Sequence, residues 1–520
     1  MIITEIQYFF SKIIRFQAIF KDTVEFTCAL EFKISSQRFW QVFKYTCEKG
    51  GNGLQWIIEM RYKMRKISKS QNSKDLTTGP IGRGLLAFAI PLFLGQLLQQ
   101  LYNVADAWVV GNFANNNAFA AVSSTGSMIF LIIGFFSGVA TGGGVVISKY
   151  FGAKNMDAVD KAVHTNFLFG IIASVVATVL GLLLAPWLLR VMKTPEEVMP
   201  DALMYLQIYF GGVSTIIMYN IGMAIMRALG DSIHPLYYLM LSSVLNVVLD
   251  LLFVAKLGYG VAGAGVATVI SQGVSAVLCI IKMCRMQDVG RLRWRSIRYY
   301  PDFMGEVIVQ GLPNGIQNSV ISIGNMVVQT NINSFGSYAM SGVGAYSKIE
   351  GFAFLPITSM SISLPTFISQ NLGAKKYDRA KKGAAFGIIS GVALAEVIGL
   401  IVYIWAPQLL RFFVNVKEAI TIGQGHARII CLFFGLLAFS HCAAGVLRGC
   451  GKSIVPMITM LAFWCGIRII YVTTTLHIVP KFSVISWAYP LTWSLSSIVF
   501  ALFLVKSDWV HAFEKQTKHV

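Results

Sequence analysis

The stretch Met226–Pro235 reads MRALGDSIHP, and Leu447–Pro456 reads LRGCGKSIVP, so one pattern, RxxGxSxxP, occurs twice at a spacing of 221 residues. Two further pairs keep that spacing: GAK at Gly152–Lys154 and Gly373–Lys375, and APxLLR at Ala185–Arg190 and Ala406–Arg411. Pro91 and Pro313 pair at 222. Four anchors in register establish an internal duplication.

Outward from those anchors the chain is a succession of apolar runs long enough to cross a bilayer, which takes about 18 residues or more. Twelve spans are predicted, near 84–112, 119–147, 162–185, 203–226, 236–256, 262–282, 304–332, 339–369, 384–405, 420–446, 454–477 and 483–505. Six spans separate equivalent points of the two halves. An even number returns the chain to the same side, so the halves are parallel repeats about an axis along the membrane normal. The expected fold is an all-α integral membrane protein, twelve transmembrane helices in two six-helix lobes around a central cavity. The segments are an N-terminal extension (1–75), an N-lobe (76–284), a basic linker (285–302), a C-lobe (303–505) and a tail (506–520).

The composition agrees. Of 520 residues, 55% are hydrophobic and 13% charged, and the net charge is +19. A soluble chain carries about twice that charged fraction, so a soluble enzyme and a disordered protein are excluded. From residue 76 onward there are 30 Lys and Arg, of which 21 fall on the side holding both chain ends. The excess is therefore an orientation signal, not nucleic-acid affinity, and it puts both termini in the cytoplasm. The eight cysteines form no CxxC pair, which argues against a zinc site or disulfide framework. Residues 1–75 hold 13 basic and 7 acidic residues and no span-length apolar run. They read either as an amphipathic surface segment or as sequence ahead of a translation start at Met60 or Met64, the latter preferred.

Duplicated residues read as scaffold, so unrepeated polar residues are the better functional candidates. The carboxylates inside spans are Asp106, Asp250, Glu350 and Glu396. By the repeat, Asp106 pairs with Val328 and Asp250 with Tyr471; Asn246 pairs with Ile467, Thr268 with Tyr489 and Tyr102 with Gly324. At 1.5 Å per residue Asp106 lies ~27 Å past Phe88, Asp250 ~23 Å past Pro235, and Thr268 roughly 13 Å below the outer edge of span 6. All three fall in the outer half of the membrane. Tyr102 and Asp106, like Asn246 and Asp250, are four apart and share a helix face. One oxygen-rich pocket in the first half is expected, able to exchange protons or to hold Na⁺, because a charged carboxylate at membrane depth is costly unless matched. Pro91 removes a helix hydrogen bond on the span that carries Asp106, and either bends it passively or acts as a hinge.

In the second half Lys348, Glu350, Glu396, Arg428 and Arg468 lie within spans. Glu350 reads either as a cavity-facing contact for cationic substrate or as half of an internal ion pair. His164 and His441 read as helix-packing histidines. Gly258–Gly263 matches GxGxxG but joins two spans, and Gly451-Lys452-Ser453 lacks the glycine a phosphate loop requires, so no nucleotide site is indicated. The run TGGGVV (141–146) suits close helix packing.

With Pro91, Tyr102 and Asp106 followed by AWVVG, SKYFGAKN after span 2, MRALGDSIHP after span 4, NVVLD in span 5 and GYGVAGAGVATVISQ entering span 6, the chain resembles the multidrug and toxic compound extrusion (MATE) transporters over 76–505. The resemblance implies export of amphipathic, often cationic compounds against inward H⁺ or Na⁺, with no other cofactor. In the prokaryotic branch with an N-lobe cation site, the site residues match Asp106, Asn246, Asp250 and Thr268, with Tyr102 and Pro91 alongside. It implies a monomeric, multi-pass protein of the bacterial cytoplasmic membrane. The rival is a lipid-linked oligosaccharide flippase of the same broad fold, which calls for a strongly cationic cavity. A membrane-embedded enzyme calls for a nucleophile–base or metal constellation, and the sequence has no HExxH or GxSxG.

Overall fold

The computed structural model describes residues 75–114, 116–191, 194–286 and 290–517. The reading of residues 1–74 as an extension falls outside them. Helix follows helix throughout. Span 1 is α1 (Ile81–Phe113), span 2 is α2 (Asn116–Gly152) and span 3 is α3 (Met156–Val191). Span 4 is the pair α4 (Met199–Gly211) and α5 (Val213–Ala228). Span 5 is α6 (Ile233–Asp250) continued by a π-helical stretch, Leu251–Lys256, and span 6 is α7 (Gly260–Cys284).

The second half repeats the order. Span 7 is α8 (Pro301–Asn333), span 8 is α9 (Ser337–Ala353) with α10 (Leu355–Gly373), and span 9 is α11 (Tyr377–Arg411). Span 10 is α12 (Lys417–Cys431) with α13 (Phe434–Gly449). Span 11 is α14 (Ile454–Met460), a π-helical stretch Leu461–Ile467 and α15 (Arg468–Ile478). Span 12 is α16 (Phe482–Lys506), followed by the short α17 (Ala512–Thr517).

Among the described residues eight helices are long and apolar enough to cross a membrane, and three bent pairs bring the number to eleven. The twelfth is α8. It is 33 residues long, and some of its polar residues bond a neighbouring helix while others bond within α8: Asn318 Nδ2 donates to Gly134 O at 2.9 Å and Ser319 Oγ to Leu131 O at 3.1 Å, and Asn314 Nδ2 to Gln310 O at 2.9 Å. The chain is a multi-pass membrane protein. Spans 4, 8 and 10 are bent by 46°, 44° and 53°, which periodicity alone does not reveal. Span 8 breaks where Pro356, at the start of α10, brings no N–H. Span 10 breaks at Leu432–Phe433, and there Glu396 Oε1 accepts the N–H of Gly435, in the first turn of α13, at 2.9 Å. Glu396 is thereby a structural acceptor, and a Cβ on Gly435 would meet its Oε1 at 2.1 Å.

The repeated motifs are helix stops. Gly230 and Gly451 have φ of 83° and 78°, and each closes a helix with the same two bonds. Asp231 N donates to Met226 O and Gly230 N to Arg227 O, both at 2.9 Å; Lys452 N donates to Leu447 O at 2.9 Å and Gly451 N to Arg448 O at 3.0 Å. This Schellman geometry needs a left-handed residue, which glycine supplies without a Cβ penalty. The GAK pair does the same with Lys154 and Lys375, at φ of 57° and 56°.

The two halves meet along a seam of small residues near the face that carries the chain ends. A Cβ on Gly142 would stand 2.3 Å from Gly311 Cα, and one on Gly138 would stand 2.6 Å from the Asn314 backbone. Gly152 and Gly373 lie against the carbonyls of Gln370 and Lys149. Ser369 Oγ donates to Val145 O at 2.7 Å and Gln370 Nε2 to Ala228 O at 2.8 Å. Lys149 Nζ reaches Glu306 at 3.2 Å and the Tyr150 hydroxyl donates to the same carboxylate at 2.7 Å, so spans 2 and 7 are also joined by charge. The linker lies on the N-lobe: Arg293 N donates to His164 Nε2 at 3.0 Å, and His164 Nδ1 bonds Asp160 O at 2.7 Å. His164 is thus a satisfied packing residue. Residues ahead of α1 are held by the C-lobe, with the Arg379 guanidinium donating to the carbonyls of Leu76, Thr78 and Gly79.

Candidate functional site

Span 1 crosses span 5 and approaches span 6 on the side away from the seam, and this packing draws the unrepeated polar residues of the first half together. The hydroxyls of Tyr102 and Thr268 lie 3.2 Å apart, and Asn246 Nδ2 donates to Thr268 Oγ1 at 3.5 Å. Thr268 therefore links α1, α6 and α7. Asn246, Asp250 and Thr268 are buried, while Tyr102 and Asp106 are half-buried. The Asp106 and Asp250 carboxyls lie within electrostatic reach of each other.

The donors are what this pocket lacks. Asp106 Oδ1, both carboxyl oxygens of Asp250 and Asn246 Oδ1 are buried with no hydrogen-bond donor from the protein reaching them. None of the groups acting on Asp106 or Asp250 among the described residues is basic. Buried polar atoms are ordinarily satisfied, and leaving such an acceptor without a donor costs about 1–3 kcal/mol, more when charged. A cluster of oxygen acceptors around two carboxyls is completed chemically by protons or by a hard cation such as Na⁺, which takes oxygen ligands.

Two residues outside the sequence-based set belong here. Tyr205 and Tyr209 of α4 are buried, their ring centroids 6.2 Å apart, and both lie within electrostatic reach of Asp106. Their signal was a pair of tyrosines four apart on the outer half of span 4. The π-helical stretch that starts immediately after Asp250 is a second feature without a sequence signature. Such wide turns recur at functional sites, because the extra residue re-aims side chains.

Pro91 is not in the pocket. It lies 15 residues before Asp106 in the sequence, about 22 Å along the helix, and α1 runs unbroken through it. Glu350 lies in the other lobe, within reach of Arg468. Of the remaining charges of that half, Lys348 and Arg428 are exposed, and Arg428 lies over the Tyr403 ring at 5.5 Å. Arg468 alone of the three basic residues is buried, at 2% exposure.

A family model described as MatE matches residues 91–252 and again 313–473, together more than half of the chain and in the register of the duplication. A relative from Bacillus subtilis (strain 168), the "Probable multidrug resistance protein YpnP", is 27% identical over 393 residues, covering 75% of this chain and 87% of its own. The "Probable multidrug resistance protein NorM" of Thermotoga maritima (strain ATCC 43589 / DSM 3109 / JCM 10099 / NBRC 100826 / MSB8) is 25% identical over 390 residues, 74% of this chain and 83% of its own. Among solved structures, a MATE crystallised in complex with MaL6 superposes with a TM-score of 0.79 at 20% identity, covering 86% of this chain and all of that one.

Proposed function

The chain belongs to the MatE family, and from that premise we propose that it is a secondary multidrug exporter, moving amphipathic, cationic organic compounds out of a bacterial cell in exchange for H⁺ or Na⁺. Both termini then lie in the cytoplasm, where the basic loops meet the positive-inside rule. The protein works as a monomer in the cytoplasmic membrane, and the seam of spans 2, 7 and 8 is its closed inner side.

The observation that carries the reading is the set of unsatisfied buried oxygens of Asp106, Asp250 and Asn246. Facing outward, the Asp106–Asp250 pair takes up protons, or Na⁺ with Asn246, Thr268 and Tyr102 adding oxygens. Uptake neutralises the pair and removes the cost of two like charges held together out of water. That free energy biases α1 toward a new packing on α6 and α7, with Pro91 as the hinge because no backbone bond has to break there. The inner seam then parts, and the ion leaves to the cytoplasm as substrate enters between the lobes. The relatives' names as multidrug resistance proteins support the substrate class. A flippase would need several buried cations, and among Lys348, Arg428 and Arg468 only the last is buried.

Uptake of ethidium into everted vesicles, driven by a proton or sodium gradient, tests this. Wild type responds to one of the two gradients; Asp106→Asn and Asp250→Asn each lose at least tenfold of the driven rate while expressing at wild-type levels. Full driven efflux by both variants refutes the site.

A further inference from the structure

The C-lobe repeats the place of the N-lobe pocket with different chemistry. At the 221-residue spacing Arg468 stands where Val247 stands, Tyr489 where Thr268 does, and Thr492 where Ser271 does. At the 222-residue spacing of the two prolines, Asn325 matches Asn103, the neighbour of Tyr102. Spans 7, 11 and 12 therefore frame in the second half what spans 1, 5 and 6 frame in the first.

Arg468 fills that frame. Its Nη2 and Nε donate to Thr492 Oγ1 at 3.0 and 3.3 Å, and Nη1 donates to Asn325 Oδ1 at 3.5 Å. The Tyr489 ring lies 4.5 Å from the guanidinium carbon. Each of those three partners is a repeat counterpart of a residue in or beside the N-lobe pocket. Glu350 supplies the negative charge from span 8. It acts on Arg468 through space, and Tyr346, Tyr489 and Cys431 are the other titratable groups facing it. Each of spans 5 and 11 also carries one π-helical stretch, after Asp250 in the first and before Arg468 in the second, at different places in the repeat.

The two pockets differ in charge balance. The first holds two carboxyls and no base; the second holds one carboxylate and one guanidinium. A guanidinium keeps its proton at any physiological pH and, being covalently attached, cannot be exchanged across the membrane. We infer that the C-lobe pocket is a second cation site of the same plan whose cation is tethered, Arg468 standing where an exchangeable H⁺ or Na⁺ would stand. Coupling then belongs to the N-lobe alone, and removing the Arg468 charge converts the C-lobe into a second ion site around Glu350. The inference rests on the antiport reading above.

The test is thermodynamic. The full-length protein is reconstituted in liposomes with the membrane potential clamped, and the ethidium gradient at zero net flux is measured under an imposed tenfold gradient of H⁺ or of Na⁺. This balance point counts ions per ethidium and does not depend on turnover rate. Wild type, Glu350→Gln and Arg468→Lys are expected to balance at one value. Arg468→Ala is expected to balance at an ethidium gradient about tenfold steeper, the effect of one additional ion. Adding Glu350→Gln to Arg468→Ala restores the wild-type value. A lower balance point in Glu350→Gln, or an unchanged one in Arg468→Ala, overturns the inference. If Arg468→Ala does not fold, Glu350→Gln against wild type decides it. A wild type that follows neither gradient sinks the antiport reading itself, an outcome visible before any C-lobe variant is compared.

Discussion

The hydroxyls of Tyr102 and Thr268 stand 3.2 Å apart and tie span 1 to span 6 beside the two carboxyls of the N-lobe. Tyr102 is thereby an element of the pocket's geometry as well as a source of oxygen. Tyr102→Phe deletes the bond and keeps the ring. A hydrogen bond of this kind contributes about 0.5–1.5 kcal/mol net, so the ion concentration for half-maximal ethidium efflux should rise roughly 2- to 13-fold with little change in stability. An unchanged ion requirement would show that the bond plays no part in binding.

Asp106 and Asp250 act as one unit if they share a proton, and a unit responds to mutation non-additively. The double variant Asp106→Asn/Asp250→Asn should be no slower in driven efflux than the worse of the two single variants. The resulting interaction energy in the cycle is expected to exceed about 1 kcal/mol. Strictly multiplicative losses would mean that the two carboxyls serve separate steps.

Gly142 is the tightest point of the seam between spans 2 and 7. The Cβ added by Gly142→Ala would overlap Gly311 at 2.3 Å, and overpacking of this kind costs typically about 1–3 kcal/mol. The strain falls only on the conformation in which the seam is closed. Spin labels placed on the end-bearing faces of the two lobes should report a larger fraction of separated lobes in the variant. An unaltered distance distribution would place the moving contact elsewhere.

Glu396 serves as the control. Its carboxylate accepts the Gly435 N–H at the break of span 10, so Glu396→Ala should lower the midpoint of thermal unfolding through the loss of one charge-assisted bond, about 1.5–3 kcal/mol. The number of ions moved per ethidium should stay at the wild-type value. A change in that number would return Glu396 to the list of functional acids.

The span plan, and which unrepeated polar residues of the first half share helix faces, were readable in the sequence because each rests on a periodic signal. Apolar runs and the 221-residue register locate the helices and their duplication, and the i, i+4 pairs Tyr102/Asp106 and Asn246/Asp250 pick out residues that the packing of α1, α6 and α7 brings together. What escaped has no period. The breaks at Gly212, Phe354 and Leu432–Phe433 are one- or two-residue events inside apolar runs, and hydropathy passes over them. The π-helical stretches depend on which carbonyl a given N–H finds. Tyr205 and Tyr209 are four apart on span 4, a weak signal in a chain where aromatic residues abound, and only the packing of that span selects them as neighbours of Asp106. That Glu350 lies within electrostatic reach of Arg468 likewise depends on how the spans pack, which no period records.

The bend in span 8 divides that span's loyalties. Above Phe354, α9 carries Glu350; below it, α10 carries Ser369 and Gln370, whose bonds to the carbonyls of Val145 and Ala228 fasten the C-lobe to the N-lobe. The joint is steadied by the Phe354 ring against His441, with centroids 4.9 Å apart. A straight helix would transmit every rotation at the seam into the C-lobe pocket undiminished. A jointed one works as a clutch, and the inner half can swing with the partner lobe while Glu350 keeps its place beside Arg468.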